Sequence, residues 1–284
     1  MEDRLVNQGE NIYPSNHELA IMAEFVEACA WEDHYRAAPE YVQWEQGLHI
    51  DHLGSAIVLS LPRSDDPFYN RVLGLGLNET ATEDMLDELM AYIFGSGTQF
   101  FLVPISPAAQ PQAIHEWLRW RGFWEVESHA KFIHDAQLPE EKSTDLRIEL
   151  TGADYADAFA FVSTEAFGLP DYMFPWMRAC VGRSNWYHYV AWDGDTPVAA
   201  GALYICDDVG WLGHGSTLTG YRRRGAQAAI LHRRIRDGID LGCKWFITDT
   251  DVDTPEKPNT SFRNMLRNGF KLIYIRKNYQ FQAY

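Results

Sequence analysis

Cysteine is scarce in this chain, and what there is does not cluster. Cys29, Cys180, Cys206 and Cys243 lie far apart and form no CxxC pair and no metal-ligand spacing. Neither a disulfide framework nor a metal site is expected; reduced thiols in a cytoplasmic setting are. Long apolar runs are missing too. No stretch of about 18 apolar residues occurs, so no membrane contact through a spanning helix is expected. The start, Met1-Glu2-Asp3-Arg4, leads into polar residues without an apolar signal core, which argues against secretion. Basic residues are lacking in one half only. Residues 1–142 hold 8 Lys+Arg against 24 Asp+Glu, whereas residues 143–284 hold 16 of each, so the whole net charge of −16 sits in the first half. A nucleic-acid partner is therefore not expected, because phosphate backbones need a basic face. The acidity serves solubility or attracts a cationic substrate.

The 284 residues are 46% hydrophobic and 14% aromatic, enough for two ordinary cores. A polar, acidic stretch from Leu138 to Thr144 reads as a linker between residues 1–137 and 145–284. A faint repeat flanks it. Gly97 opens an apolar strand, a helical stretch runs from Pro111 to Arg121, and Gly122-Phe123 leads to a last strand. Gly242 opens another, a helical stretch runs from Asn259 to Asn268, and Gly269-Phe270 leads to the second last strand. The Gly-Phe pairs are 147 residues apart and the strand-opening glycines 145 apart. Matching order at a near-constant offset predicts two copies of one fold whose halves pack on each other. Hairpins mixed with crossover helices predict an α+β fold, with a mixed central sheet flanked by helices.

The most informative stretch is Thr217-Leu218-Thr219-Gly220-Tyr221-Arg222-Arg223-Arg224-Gly225-Ala226-Gln227-Ala228. A strand ends, a basic turn with glycines follows, and a helix begins, with Leu231, Ile235 and Ile239 forming its apolar stripe and Arg233, Arg234 and Arg236 largely off it. N–H groups at a helix start lack intrahelical partners and carry the positive end of the dipole, so they suit an anion. A bare Gly225 lets a phosphate approach, and the arginines add charge. The competing reading is a helix that starts after a basic loop.

Arg222-x-x-Gly225-x-Gln227 resembles the acyl-CoA signature of the GNAT superfamily of N-acetyltransferases, with Gln227 standing where a small residue is usual. The run from Asn259 to Phe270 is similar to that family's Asn…Gly-Phe helix. The resemblance covers residues 146–284 and reaches the first half only through the repeat. It implies a GNAT-like fold and acetyl-CoA as cosubstrate. Thr217 and the main chain of Leu218 and Thr219 would lie along the pantetheine. Arg222, Arg223, Arg224, Gly225, Ala226, Gln227 and Ala228 would hold the pyrophosphate, with Asn259 and Arg263 beside the arm. It implies transfer of an acetyl group to a primary amine of a small-molecule or peptide acceptor. The alternative is a catalytically silent acyl-CoA binder.

The chemistry needs a proton acceptor for the amine. His214, between Gly213 and Gly215 upstream of the turn, is one candidate, with a packed sheet histidine as the other reading. Asp249 and Asp251, read as a loop after a strand ending at Thr248, are others. Met265 occupies the position of the family's tyrosine acid, leaving Tyr274 or direct thiolate release. Trp176, Trp186, Tyr172 and Phe174 line an acceptor pocket or belong to the core. In the first half, the corresponding turn from Asn78 to Asp84 has no arginine or glycine and carries Glu79, Glu83 and Asp84, with Thr82 as helix cap. This half is expected to bind no CoA and to wall the acceptor cleft.

Overall fold

A computed structural model describes residues 16–64, 66–140 and 143–283. Met1–Arg4 and, in the linker, Glu141 and Lys142 lie outside the described residues. The first half runs α1 (Asn16–Arg36), α2 (Glu40–Gln46), β1 (His49–Leu53), β2 (Ala56–Ser60), β3 (Arg71–Leu73), α3 (Glu83–Ser96), β4 (Phe100–Ile105), α4 (Ile114–Trp120), β5 (Trp124–Glu125) and β6 (His129–His134). After a first strand β7 (Arg147–Thr151), the second half repeats this order. It runs α5 (Ala156–Phe167), α6 (Met173–Cys180), β8 (Trp186–Asp193), β9 (Thr196–Cys206), β10 (Val209–Thr217), α7 (Ala226–Asp240), β11 (Trp245–Asp251), α8 (Thr260–Arg267) and β12 (Lys271–Gln282).

The described strands form one mixed sheet in the order β1-β2-β3-β4-β12-β6-β11-β10-β9-β8-β7, with β5 also on β12. The halves are not two closed sheets side by side. Strand β6 of the first half inserts between β11 and β12 of the second, while the end of β12 inserts between β4 and β5 of the first. The exchange is symmetric. Val103 pairs with Tyr279 and Thr248 pairs with Phe132. These pairs are related by the offsets of 145 and 147 read from the sequence. Glu125–Tyr279 and Leu272–Phe132 repeat the relation, and His129 faces Arg276, its own mate, at the pseudo-two-fold centre.

Three apolar clusters follow from this arrangement. One lies on each half's outer helices, α3 with α4 and α7 with α8. The third fills the other face of the sheet, where α1 packs with α5 and α6 across both halves. Burying this face on both halves at once makes them interdependent. Among the described residues, no helix is long and apolar enough to cross a membrane.

Local chemistry sets the element ends that matter. Thr82 caps α3, its hydroxyl accepting from the Met85 N–H at 3.2 Å. Strand β11 continues to Asp251, three residues beyond the expected end, because β6 of the other half pairs with it along that length. Asp249 and Asp251 are thus strand residues, not loop residues, as no pairing partner for them exists within the second half's own sequence neighbourhood.

Candidate cofactor cradle and acceptor cleft

Strands β10 and β11 run parallel but stay paired only from Val209 to Trp211 and from Trp245 to Ile247. A last tie follows, the Thr248 hydroxyl donating to Leu212 O at 2.9 Å. Beyond it the strands separate. β10 carries a bulge between Gly213 and Ser216, where His214 and Gly215 have no register partner in β9 and His214 takes φ of 52°. The bulge frees the Gly213 carbonyl, and Arg234 of α7 reaches under the sheet to take it at 3.1 Å together with Ala202 O at 2.9 Å. Arg234 therefore lies within the buried face of α7 and not off the stripe.

The separated β10 runs into the turn before α7. The first intrahelical bond is from Ala229 N–H to Gly225 O, so the N–H groups of Ala226, Gln227 and Ala228 have no intrahelical partner. Gly225 sits at φ 80°, ψ 0°. A Cβ there would point at Ser143 O, 3.4 Å away, and at Thr144 Cβ, 3.6 Å away. Glycine is thus required by the left-handed backbone, and a side chain would press on the linker before it met a ligand. Arg222 and Arg223 form no ion pair among the described residues, whereas Arg224 is committed elsewhere. Its guanidinium bridges Asp193 at 2.7 Å and Asp145. Asp145 directly follows the linker, so the third arginine ties the turn down instead of extending the cradle.

Other side chains are also engaged. The Leu218 N–H donates to Val198 O at 3.0 Å and its carbonyl accepts from Tyr221 at 2.9 Å. Gln227 Nε2 donates to Ser216 O at 2.6 Å, Thr217 Oγ1 at 3.0 Å and Ala200 O at 3.2 Å, stapling the helix start to the strand edge. Asn259 caps α8, accepting from Phe262 N–H at 2.9 Å, and Arg263 pairs with Asp253 at 2.9 Å. Met265 packs against the cluster under α7.

On the other face, the sheet carries a buried polar centre between the halves. Glu27 of α1 meets Arg276 at 2.5 Å, Lys131, and Arg71 at 3.9 Å. Glu24 meets Arg276 at 2.9 Å and accepts from the Tyr274 hydroxyl at 2.6 Å. Asp249 lies 3.8 Å from Lys131 and 3.3 Å from His129. Glu24, Glu27 and Asp249 balance Arg71, Lys131 and Arg276, so the centre closes without net charge. Burial opposes ionisation of Glu27, but Arg276 and Lys131 overcome it and lower its pKa to about 2. Burial likewise opposes ionisation of Asp249, yet Lys131 and His129 hold it far below the carboxylate range. Burial and Glu24 push the Tyr274 hydroxyl well up, keeping it a donor to that carboxylate. Tyr274 and Asp249 are therefore held in this network.

Beside it lies an aromatic and histidine box. Arg71 is sandwiched between Trp31 and Phe68, 4.0 and 4.1 Å from their ring centres. His214 packs against His34 at 5.1 Å and Trp186 and Trp211 at 5.9 Å. Burial, then Arg234, lowers its pKa to about 4, so it is neutral at neutral pH and a weak base. Trp176 and Trp186 are core residues anchored to α1, donating to His34 O and to Asp33, both at 2.7 Å. The box opens toward the strand separation at half-buried His214, Phe68 and His129. Sequence reasoning missed His129, Glu24 and Glu27 because they meet Asp249, Lys131, Tyr274 and Arg276 more than 100 residues away, and Arg71 because Glu27 and Trp31 come from a different element, α1; no local pattern marks them.

The first half has the same separation, closed. β3 and β4 share one register pair, Arg71 with Leu102, and left-handed Gly74 and Gly76 follow. The chain after β4 then fills the gap, Gln110 N–H donating to Gly76 O at 2.7 Å and Ala81 N–H to Gln110 O at 2.9 Å. A Cβ at Gly76 would lie 2.7 Å from Gln110 O.

No protein-family model matches the chain, and no curated protein matches it. Solved structures do. A GCN5-related N-acetyltransferase from Sphaerobacter thermophilus superposes with a TM-score of 0.60 at 14% identity over 95% of this chain and 94% of that one. One from Kribbella flavida gives 0.59 at 15% identity over 88% and 96%. A tandem GNAT protein from the clavulanic acid biosynthesis pathway gives 0.58 at 13% over 95% and 97%. At such identity the likeness speaks for the fold, and with the symmetric strand exchange it shows that this chain has the GNAT N-acetyltransferase fold in tandem.

Proposed function

We propose that the chain is an acetyl-CoA-dependent N-acetyltransferase acting on a primary amine. The observation that carries the reading is the separation of β10 from β11, leading into a turn with three helix N–H groups that lack intrahelical partners and two arginines that form no ion pair among the described residues. Ala226, Gln227 and Ala228 would hold the pyrophosphate through their N–H groups, with Arg222 and Arg223 adding charge. Thr217 and Thr219 would flank the pantetheine arm, while the Leu218 main chain and Arg224 serve the fold. Acetyl-CoA supplies the activated acyl thioester. The unpaired backbone at His214 and Gly215 would donate to the thioester carbonyl as charge develops there.

The first half would hold no cofactor, since Gln110 bridges its gap and its turn is acidic. It would instead provide one wall of the acceptor cleft through Phe68 and His129. With Met265 in place of an acid and Tyr274 held by Glu24, the thiolate would leave unassisted. That same feature favours the second reading, a silent acyl-CoA binder. Calorimetry should find one acetyl-CoA per chain, and thiol-reagent detection should find CoA release with at least one member of an amine panel. Binding without release from any amine would establish the silent binder; no binding, or two sites per chain, would overturn the cradle.

A further inference from the structure

We propose that His129, carried into the second half by the exchanged strand β6, is the proton acceptor for the amine, with Asp249 orienting it and Asp251 holding the ammonium form. The inference rests on the acetyl-transfer reading above. It starts from where β6 lies. His129 pairs with Asp251 along β11 and with Arg276 along β12, beside the point where β10 leaves β11. Its side chain emerges on the face that carries His214 and the aromatic box, with Phe68 at 6.5 Å between ring centres.

Its two nitrogens meet different surroundings. Nδ1 is shielded from solvent and makes no hydrogen bond among the described residues, but lies 3.3 Å from Asp249 Oδ2, so the carboxylate acts on it through its charge. Asp249 is ionised and locked by Lys131 and Arg276, so it stands as a fixed negative neighbour. A carboxylate there keeps the imidazole proton on Nδ1 and leaves the Nε2 lone pair facing outward. Nε2 lies 3.6 Å from Asp251 Oδ1, beyond hydrogen-bond reach, and Asp251 is 41% exposed. A primary ammonium seated beside the pair would give one N–H to the carboxylate and one to the imidazole. The charged groups facing His129 are Asp249 and Asp251 from β11 and Arg276 from β12, with Lys257 on the far side of Asp251 at 3.3 Å. His214, by contrast, has been driven down by burial and Arg234 until it is a poor proton acceptor.

The step balances as follows. The ammonium gives one proton to His129 Nε2, and the freed nitrogen lone pair forms the C–N bond as the thioester C–S bond breaks. Sulfur leaves as the thiolate and only then takes up the second surplus proton from nitrogen, giving the acetamide and the free thiol. His129 returns its proton to water. No oxidant, metal or further reactant is needed. On this arrangement the acidic half, proposed above to hold no cofactor, supplies the base.

Three variants of the full chain test this: H129Q, D249N and D251N. Each is first titrated with acetyl-CoA, where affinity equal to wild type is expected. With an amine turned over by the wild type, H129Q should lower kcat about 10²- to 10⁴-fold, and its rate should climb with pH as solvent alone deprotonates the amine. D251N should raise KM for the amine with kcat little changed. Nitrogen-15 NMR of the ligand-free protein gives a readout independent of activity. The His129 signal, assigned by its loss in H129Q, should report the proton on Nδ1 in the wild type and mixed tautomers in D249N. Wild-type rate and pH profile in H129Q, or a tautomer unmoved by D249N, would overturn the base assignment and leave the cradle standing. A wild type that binds no acetyl-CoA, or releases none of it as CoA with any amine, would overturn the acetyl-transfer reading itself.

Discussion

Replacing Gly225 by alanine separates the two reasons a glycine could be needed before α7. Its φ of 80° lies in the left-handed region, where an L-residue costs roughly 1–2 kcal/mol. The added Cβ would touch Ser143 O at 3.4 Å and Thr144 Cβ at 3.6 Å, which is contact without collision. The penalty is therefore torsional. For a chain of this size about 1–2 kcal/mol lowers Tm by roughly 2–8 °C. Gly220, five residues earlier, has no neighbour near its would-be Cβ and no left-handed φ, so Gly220→Ala should stabilise by about 0.4–1 kcal/mol. If the chain relieves the strain at residue 225 by turning the next peptide, the Ala226 N–H no longer faces the cradle. A hydrogen bond to a charged partner is worth about 1.5–3 kcal/mol, so acetyl-CoA should bind about 10- to 100-fold more weakly. Thermal unfolding and calorimetry on both variants provide the comparison. An unchanged Tm and unchanged affinity in Gly225→Ala would refute both the backbone argument and the placement of the cradle.

Other expectations follow from the same geometry. Arg222→Ala and Arg223→Ala should each weaken acetyl-CoA binding about 3- to 10-fold, more at low salt, whereas Arg224→Ala, whose side chain already pairs with Asp145 and Asp193, should leave the salt dependence of binding unchanged; salt-dependent titrations decide. Burial lowers His188 to about 3 and His214 to about 4, below the ordinary histidine value of 6.5. The unfolded chain thus binds protons that the folded chain refuses. Stability is present above pH about 6.5 and is lost as pH falls through about 4 toward 3. His188→Phe keeps the contacts with Phe159 and Trp186, removes two unpartnered nitrogens, and should make this acid loss shallower in urea unfolding at stepped pH; an identical pH dependence would contradict it. Glu27→Gln leaves Arg276, Lys131 and Arg71 undercompensated and should cost about 3–5 kcal/mol, in one transition because the exchanged strands couple the halves; two separate transitions would speak against that coupling.

Much of the architecture was legible along the chain because it rests on local signals. Apolar periodicity and glycine punctuation marked α7, α8 and the strands around them, and the basic turn at Arg222–Gly225 marked the helix start. The repeat was legible for the same reason: two equivalent strand–helix–Gly-Phe successions keep their order and spacing, and offsets of 145 and 147 recur in the strand ladder. Thr82 and Asn259 act as caps because a short oxygen-bearing side chain before a helix satisfies its N–H groups wherever it occurs.

What tertiary structure alone decided is which strand lies beside which. Strand exchange places β6 against β11, lengthens β11 to Asp251, and brings His129 to Asp249, residues 120 positions apart. It also converts Asp249 and Tyr274 into members of a buried charge network, while contacts within the second half commit Arg224, Arg234 and Arg263 to partners of their own. A side chain's type says what it can bond. Its available partners, and hence its pKa and its freedom to meet a ligand, are set by contacts between distant segments, and those are fixed when one apolar face is buried across both halves at once.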